Sequence, residues 1–202
     1  RTSIATTGSN RDSTGKYWGE IIDVSSFYGR STEFAHLQQW IFADYCRLIA
    51  VVGMGGIGKT TLAAKLAEQN QDEFDFLIWQ SLRNAPSITE VLTTSIQVIS
   101  RQQATILPTS VDALISQLID YLRSCRCLLI LDNFDVVLGS ADGSSSSQMM
   151  QAGQYREGYE GYETLLRRVG SEIHSSCLLL TSREKPKILI PLEGSTLPVR
   201  TL

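Results

Sequence analysis

The sequence is poor in the residues that build disulfide-rich or zinc-binding domains. It has four cysteines and two histidines among 202 residues, and it contains no C-x-x-C pair. His36 and His174 stand far apart in the chain, so neither belongs to a local metal-binding motif. The cysteines, at positions 46, 125, 127 and 177, lie at or near the start of apolar runs, which is typical of small buried side chains. We therefore expect reduced thiols and a cytoplasmic location.

Long apolar stretches and an excess of basic residues are also missing. No run approaches the roughly 20 apolar residues that a membrane-spanning helix needs. The 18 Lys and Arg against 21 Asp and Glu give a formal net charge of -3, whereas a nucleic-acid-binding surface usually brings a basic excess. The composition therefore predicts no direct contact with a membrane or with nucleic acid.

A glycine-rich motif is the strongest signal in the sequence. Residues 53–60 read GMGGIGKT and fit G-x-x-x-x-G-K-[ST], the phosphate-binding loop of nucleoside triphosphate-binding proteins. The glycines let backbone amides approach phosphate oxygens, while the lysine can reach the terminal phosphates and the threonine hydroxyl can bind Mg²⁺. The predicted nucleotide-binding residues of this loop are Gly55, Gly56, Ile57, Gly58, Lys59, Thr60 and Thr61.

The rest of the chain alternates apolar strands with amphipathic helices. Strands are predicted over residues 46–52, 74–79, 127–131, 177–181 and 197–200, and helices over 34–44, 60–69, 87–100, 111–124 and 163–169. This alternation predicts an α/β P-loop NTPase fold, a three-layer sandwich around a parallel, roughly five-stranded sheet.

The domain organisation follows from composition. Residues 1–16 are rich in Ser, Thr and Gly and predict a flexible leader or linker, with one nucleotide-binding domain over 17–202. A low-complexity insertion is predicted near 139–154. The tyrosine-rich segment 155–162 that follows could form a docking turn or pack over the edge of the sheet.

Polar residues that follow two apolar strands are candidates for the rest of the site. Asp132 ends the strand at 127–131, at the edge where open α/β sheets bind ligands, so we interpret it as a Mg²⁺ ligand together with Thr60. The next residue is Asn133, which cannot accept a proton as a carboxylate would. Asp135 could polarise an attacking water or could equally be a solvated loop residue, so hydrolysis is left open.

Arg183 follows the strand at 177–181. A guanidinium group at that edge could pair with a γ-phosphate in bidentate geometry, or it could form a salt bridge with a surface carboxylate. The preceding strand fixes its position, which favours the phosphate.

Four segments, in this order, resemble the NB-ARC domain. They are FYGR at 27–30, GMGGIGKTTLA at 53–63, LLILD at 128–132 and LLTSR at 179–183. The NB-ARC domain is the nucleotide-binding module of STAND-class signalling ATPases, which include plant disease-resistance proteins and apoptosome-forming factors. The sequence of these motifs is most similar to that of bacterial, especially cyanobacterial, members with WD repeats downstream.

The resemblance implies roles for individual residues. The segment of Tyr28, Gly29 and Arg30 would pack beside adenine, Asp132 would be the Walker B residue, and Arg183 would be the sensor that reads the γ-phosphate. The catalytic set would then be Lys59, Asp132, Asp135 and Arg183. The resemblance further implies that the sensor strand lies between the P-loop strand and the Walker B strand.

The resemblance also implies a function. We expect a regulatory switch that holds ADP at rest and exchanges it for ATP, with Mg²⁺, to permit opening and homo-oligomerisation, and that hydrolyses ATP slowly at most. Helical, winged-helix and repeat domains would lie downstream, so this chain would be an excised core. The alternatives are a P-loop ATPase or kinase built for turnover, and the regulatory module of a DNA-binding activator.

Overall fold

The computed structural model describes residues 10–12, 15–18, 29–104, 106–139, 153–194 and 198–202. Its strands are β1 (Asn10–Asp12), β2 (Lys16–Trp18), β3 (Leu48–Val52), β4 (Phe76–Ser81), β5 (Cys127–Asp132), β6 (Cys177–Ser182) and β7 (Val199–Thr201). Its α-helices are α1 (Ser31–Phe42), α2 (Lys59–Asn70), α3 (Ile88–Ile99), α4 (Val111–Ser124) and α5 (Glu160–Ser171). Short 3₁₀ helices lie at Gln71–Glu73, Phe134–Val137 and Lys187–Leu192. Each predicted strand and helix is confirmed, with ends shifted by a few residues.

The strands form one seven-stranded sheet in the order β1-β2-β4-β5-β6-β3-β7. Neighbouring strands are parallel except β1 and β2. The expectation of roughly five strands was too low, because β2 pairs with β4 and β1 folds back on β2. Both added strands contain residues of the segment 1–16 that the sequence predicts as a leader. Both strands have only three residues, and neither is a continuous apolar run like those of the central strands.

The central strands β5 and β6 separate two apolar layers. All six residues of each are buried. Along β5, Leu129 and Leu131 belong to a core cluster with residues of α3, α4 and α5, whereas Leu128 and Ile130 belong to a cluster with residues of α1 and α2. Successive side chains of a strand point to opposite faces, so the fold is the predicted three-layer sandwich.

Two helices on one face of the sheet begin with serine caps. The Ser87 hydroxyl accepts a hydrogen bond from the Glu90 backbone N–H at 3.2 Å, as the spacing of the two residues predicts. The Ser110 hydroxyl accepts one from the Ala113 backbone N–H at 3.3 Å. These caps fix where α3 and α4 begin relative to the sheet.

The cysteines are free thiols, most of them buried, and none belongs to a metal-binding cluster among the described residues. All four are free thiols, and Cys46, Cys127 and Cys177 are buried. Burial raises the pKa of the Cys127 thiol to about 12, so it stays protonated at neutral pH. Within the described ranges no cluster of three or more His, Cys, Asp or Glu side chains could hold a metal ion, and no helix there is long and apolar enough to cross a membrane.

The tyrosine-rich segment 155–162 packs around Phe134. The Phe134 ring is fully buried and meets the rings of Tyr155 and Tyr162 edge to face, with centroids 6.3 and 5.7 Å away. The Tyr162 hydroxyl donates to the Pro86 carbonyl at 2.9 Å. Of the two alternatives for this segment, a docking turn or aromatic packing, the structure shows packing. The packed rings hold the backbone directly after Asp132.

Helix α5 approaches α3 closely at Gly161. A Cβ atom at this position would lie 2.6 Å from Cγ2 of Ile88, which is shorter than any ordinary contact. We expect Gly161→Ala to lower the free energy of unfolding by about 1 to 2 kcal/mol, because overpacking outweighs the better helix propensity of alanine. Chemical denaturation measures the loss. In an Ile88→Ala background the same change should be neutral or stabilising, and an equal loss in both backgrounds would contradict the contact.

Candidate functional site

The glycine-rich loop joins β3 to α2 at the carboxyl end of the sheet. Gly56 and Gly58 have φ angles of 78° and 90°, in the left-handed region that glycine adopts without strain. Helix α2 begins at Lys59, directly after Gly58. The unpaired N–H groups of its first turn, which contains Thr60 and Thr61, therefore face the loop, as an anion site at a helix N-terminus requires. Ile57 is 48% exposed on the rim of the loop.

The Lys59 side chain folds back along the loop. Its Nζ donates hydrogen bonds to the carbonyl oxygens of Gly53 at 2.7 Å and Met54 at 2.9 Å. These neutral acceptors hold the ammonium group at the mouth of the loop. A phosphate oxygen would be a stronger, charged acceptor for the same protons.

Four charged side chains act on Lys59. Burial lowers the pKa of its ammonium group from the ordinary value; Asp135 and Asp132 oppose that shift, while Arg183 and Arg30 add to it. The loop lysine, both predicted carboxylates and the predicted sensor arginine therefore lie near one another. The topology explains this, because β3, β6 and β5 are neighbours and their carboxyl ends meet at one edge.

Asp132 is bound by two hydroxyl groups. Its Oδ1 accepts hydrogen bonds from Thr60 Oγ1 at 2.8 Å and from Thr181 Oγ1 at 2.5 Å, and the residue is only 1% exposed. Sequence reasoning missed Thr181. The signal was a hydroxyl residue in an otherwise leucine-rich stretch of β6, at the level of the aspartate that ends β5.

Asn133 adopts a left-handed conformation with φ at 61°. Its backbone N–H donates to Thr181 Oγ1 at 3.1 Å, and its side-chain oxygen accepts a hydrogen bond from Arg83 Nε, also at 3.1 Å. Arg83 follows the end of β4 and was not predicted as a site residue. The position after a strand's carboxyl end, which singled out Asp132 and Arg183, could have found it too.

Arg183 and Asp135 form an ion pair at the same edge. The distance between Arg183 Nε and Asp135 Oδ2 is 3.4 Å, and the Arg183 backbone N–H donates to Asp135 Oδ1 at 3.2 Å. The Asp135 side chain is only 18% exposed. Of the two interpretations of Asp135 from the sequence, the solvated loop residue is therefore wrong. A Cβ atom built on Gly55 would lie 3.5 Å from Arg183 Nε, so the guanidinium group lies against the P-loop.

The segment expected beside adenine precedes α1. Gly29 and Arg30 have φ angles of 79° and 55°, and this left-handed turn leads directly into Ser31. Arg30 also lowers the pKa of Lys59, as noted above. Tyr28, which the resemblance assigns to the same role, lies outside the described residues.

The oxygen donors at this site fit a magnesium ion in part. A hydroxyl from Thr60 and a buried carboxylate from Asp132 lie 2.8 Å apart, and Mg²⁺ in nucleotide sites is commonly bound by one or two such protein groups together with phosphates and water. Because the protein supplies so few ligands, the ion would depend on the phosphates of a bound nucleotide.

A solved structure shares the fold. Cdc6p from Pyrobaculum aerophilum matches with a TM-score of 0.53 over 88% of this chain and 48% of that chain, at 18% sequence identity. At that identity the match shows the fold alone, which is that of a P-loop NTPase.

Two curated proteins resemble the chain in sequence. A WD repeat-containing protein from Nostoc sp. is 46% identical over 193 residues, which cover 92% of this chain and 15% of that protein. The disease resistance protein RPM1 from Arabidopsis thaliana is 28% identical over 117 residues, 51% of this chain and 13% of that protein. The chain thus spans only a small part of the length of these relatives.

The family model that matches is the NB-ARC domain, over residues 30–140. These residues contain the glycine-rich loop, Asp132 and Asp135. Thr181 lies beyond them on the neighbouring strand β6, and Arg183 directly follows that strand. The order of β5, β6 and β3 in the sheet agrees with the sensor-strand position that the resemblance implied. The chain belongs to the NB-ARC domain family.

Proposed function

We propose that this chain binds ADP and ATP as the regulatory switch of a signalling STAND NTPase. The observation that carries the proposal is the position of Arg183. It lies against the P-loop, near Lys59, directly after the strand between the P-loop strand and the Walker B strand. A guanidinium group at this position can contact a γ-phosphate, which ATP has and ADP lacks.

Phosphate binding in this proposal follows from the loop geometry. The backbone amides of the glycine turn and the first turn of α2 would bind the β- and γ-phosphates, and Lys59 would exchange two neutral carbonyl acceptors for charged phosphate oxygens. Thr60 and Asp132 would hold Mg²⁺, which neutralises phosphate charge. Gly29 and Arg30, with Tyr28, would line the adenine side.

The switch requires that the two nucleotides stabilise different conformations. With ADP, Arg183 has no γ-phosphate to contact and stays on Asp135. With ATP, the guanidinium would reorient toward the phosphate and change the loop that follows β6. Downstream helical, winged-helix and repeat domains would respond to that change by opening and assembling as a homo-oligomer. The WD repeats in one relative's name support the repeat domains, and the disease resistance in the other's name supports a signalling role.

An ATPase built for turnover is the second candidate. The observation that favours it is the carboxylate of Asp135 close to Lys59, where a water could be activated. Against it, both oxygens of that carboxylate already face Arg183, and the side chain after Asp132 is an amide that accepts a hydrogen bond from Arg83. The switch is therefore the better supported function.

The sensor role of Arg183 gives the decisive test. We expect Arg183→Ala to weaken binding of a non-hydrolysable ATP analogue about tenfold to hundredfold, because a charge-assisted contact to the γ-phosphate is lost. ADP affinity should stay within about twofold of wild type by the same reasoning. Isothermal titration calorimetry with both nucleotides in Mg²⁺ measures the two affinities.

A matched control is Arg167→Ala, which removes an arginine that pairs with Glu163 on α5. It should change neither affinity. If Arg183→Ala weakened ADP and the ATP analogue equally, Arg183 would be a general phosphate ligand and the switch would lack its sensor. Rapid multiple turnover of ATP by the wild-type chain would support the ATPase instead.

A further inference from the structure

The Asp135 carboxylate pairs with Arg183 and acts electrostatically on Lys59, the two cations that would face a triphosphate. Both of its oxygens face Arg183, one toward the backbone N–H and one toward Nε. Besides burial, Asp135 also has the largest effect on the pKa of Lys59. One anion therefore pairs directly with Arg183 and also acts electrostatically on Lys59, at the edge of the sheet where the P-loop lies.

The backbone around Asp135 cannot easily move. The residue belongs to the 3₁₀ helix Phe134–Val137, whose first ring is fully buried. The Leu138 N–H donates to the Asp135 carbonyl at 3.1 Å, and the Arg156 N–H donates to the Val137 carbonyl, also at 3.1 Å. The carboxylate is thus held on a rigid turn.

The arginine is the mobile partner of this ion pair. Its side chain is 67% exposed, and a long exposed side chain changes rotamer at little cost. It extends from the first residue after β6, alongside Gly55 of the P-loop. The guanidinium group can therefore leave Asp135 for a phosphate, whereas the carboxylate cannot follow it.

We propose that Asp135 sets the nucleotide preference of the site by retaining Arg183 as an ion pair that ATP must break and ADP leaves intact. This inference rests on the proposed function, because it takes Arg183 to be the γ-phosphate contact. It makes Asp135 a specificity-determining residue that acts through Arg183. Asp135 then favours the ADP-bound state and raises the ATP concentration at which the switch responds.

The expected effect is modest, since an ion pair with one exposed partner is weak. Pairs of this kind contribute little, so releasing Arg183 should favour ATP by roughly twofold to fivefold. Asp135→Asn is the suitable variant. It removes the charge but keeps a side-chain oxygen that can accept the hydrogen bond from the Arg183 backbone, so the turn should stay in place.

The experiment compares four proteins: wild type, Asp135→Asn, Arg183→Ala and the double variant. Calorimetric titration with Mg²⁺-ADP and with a Mg²⁺-bound non-hydrolysable ATP analogue gives the ratio of the two dissociation constants for each. We expect Asp135→Asn to shift the ratio toward ATP by roughly twofold to fivefold. In the Arg183→Ala background the same substitution should leave the ratio unchanged. Asp112→Asn, the same change at an exposed site in the first turn of α4, is the control for net charge.

Three results would overturn the inference while the proposed function survives. A shift that persists without Arg183 would mean that Asp135 repels the γ-phosphate directly. A shift equal to that of Asp112→Asn would be a net-charge effect. An unchanged ratio with loss of slow hydrolysis would make Asp135 a water-activating group. If the wild type bound neither nucleotide, or if Arg183→Ala weakened both equally, the proposed function itself would fail.

Discussion

Wild-type protein purified without added nucleotide should retain ADP, and Lys59→Ala should retain none. The lysine ammonium group is held at the mouth of the P-loop by the Gly53 and Met54 carbonyls, ready to bind phosphate. Its loss removes charge-assisted hydrogen bonds to phosphate and should weaken ADP binding more than about a hundredfold. Chromatography of the supernatant after denaturation measures the retained nucleotide, and calorimetry measures the affinity.

Lys65→Ala is the matched control for this substitution. Lys65 lies on the same helix and pairs with Glu68 at 2.7 Å, away from the loop. Because the described bonds of Lys59 go only to loop carbonyls, neither variant should change the thermal unfolding temperature by more than a few degrees. Unchanged ADP occupancy in a folded Lys59→Ala protein would refute the assignment of the loop as the nucleotide site.

The second large effect is expected at Asp132. Replacing it by asparagine should make nucleotide binding nearly independent of Mg²⁺, because the carboxylate charge that we propose holds the ion would be lost. Changes to residues that support a bound metal typically reduce its affinity about tenfold to hundredfold, and we expect at least that loss here. Titration of an ATP analogue at several Mg²⁺ concentrations measures the dependence.

Thr181→Val tests whether the charge of the Asp132 carboxylate or its exact position matters for Mg²⁺. It removes one of the two hydroxyl donors to Asp132 but leaves the carboxylate, so most of the Mg²⁺ dependence should survive. Asp132→Asn should also stay folded, since an asparagine oxygen can still accept from Thr60 or Thr181. If Mg²⁺ tightened binding to Asp132→Asn as strongly as to wild type, the metal role of this residue would be wrong.

Local chemistry made the central elements predictable. The apolar runs of β5 and β6 are buried on both faces, and a strand buried in this way needs a continuous apolar stretch. The Ser87 cap is equally local, because its partner Glu90 lies three positions later. The P-loop is a contiguous motif, so the loop and helix could be placed without knowledge of the rest of the chain.

Contacts that depend on strand order could not be predicted in the same way. Asp135 and Arg183 are 48 positions apart, and nothing local indicates that they pair. Their contact exists because β5 and β6 are neighbours and both end at the same edge. The same holds for Thr181 and Asp132, where a hydroxyl acquires its role from the strand beside it. The strands β1 and β2 escaped prediction for another reason, since each has only three residues and neither is a continuous apolar run.

The position of β6 between β3 and β5 has a consequence for synthesis of the chain. Strand β6 is translated after both of its neighbours, yet it supplies the hydrogen-bonding partner of each. Until residues 177–182 leave the ribosome, β3 and β5 present unpaired apolar edges, which are sites of misassociation. A fragment that ends before β6 would keep the complete glycine loop and Asp132 but would lack the strand that joins them. In this topology β6 joins the two halves of the sheet.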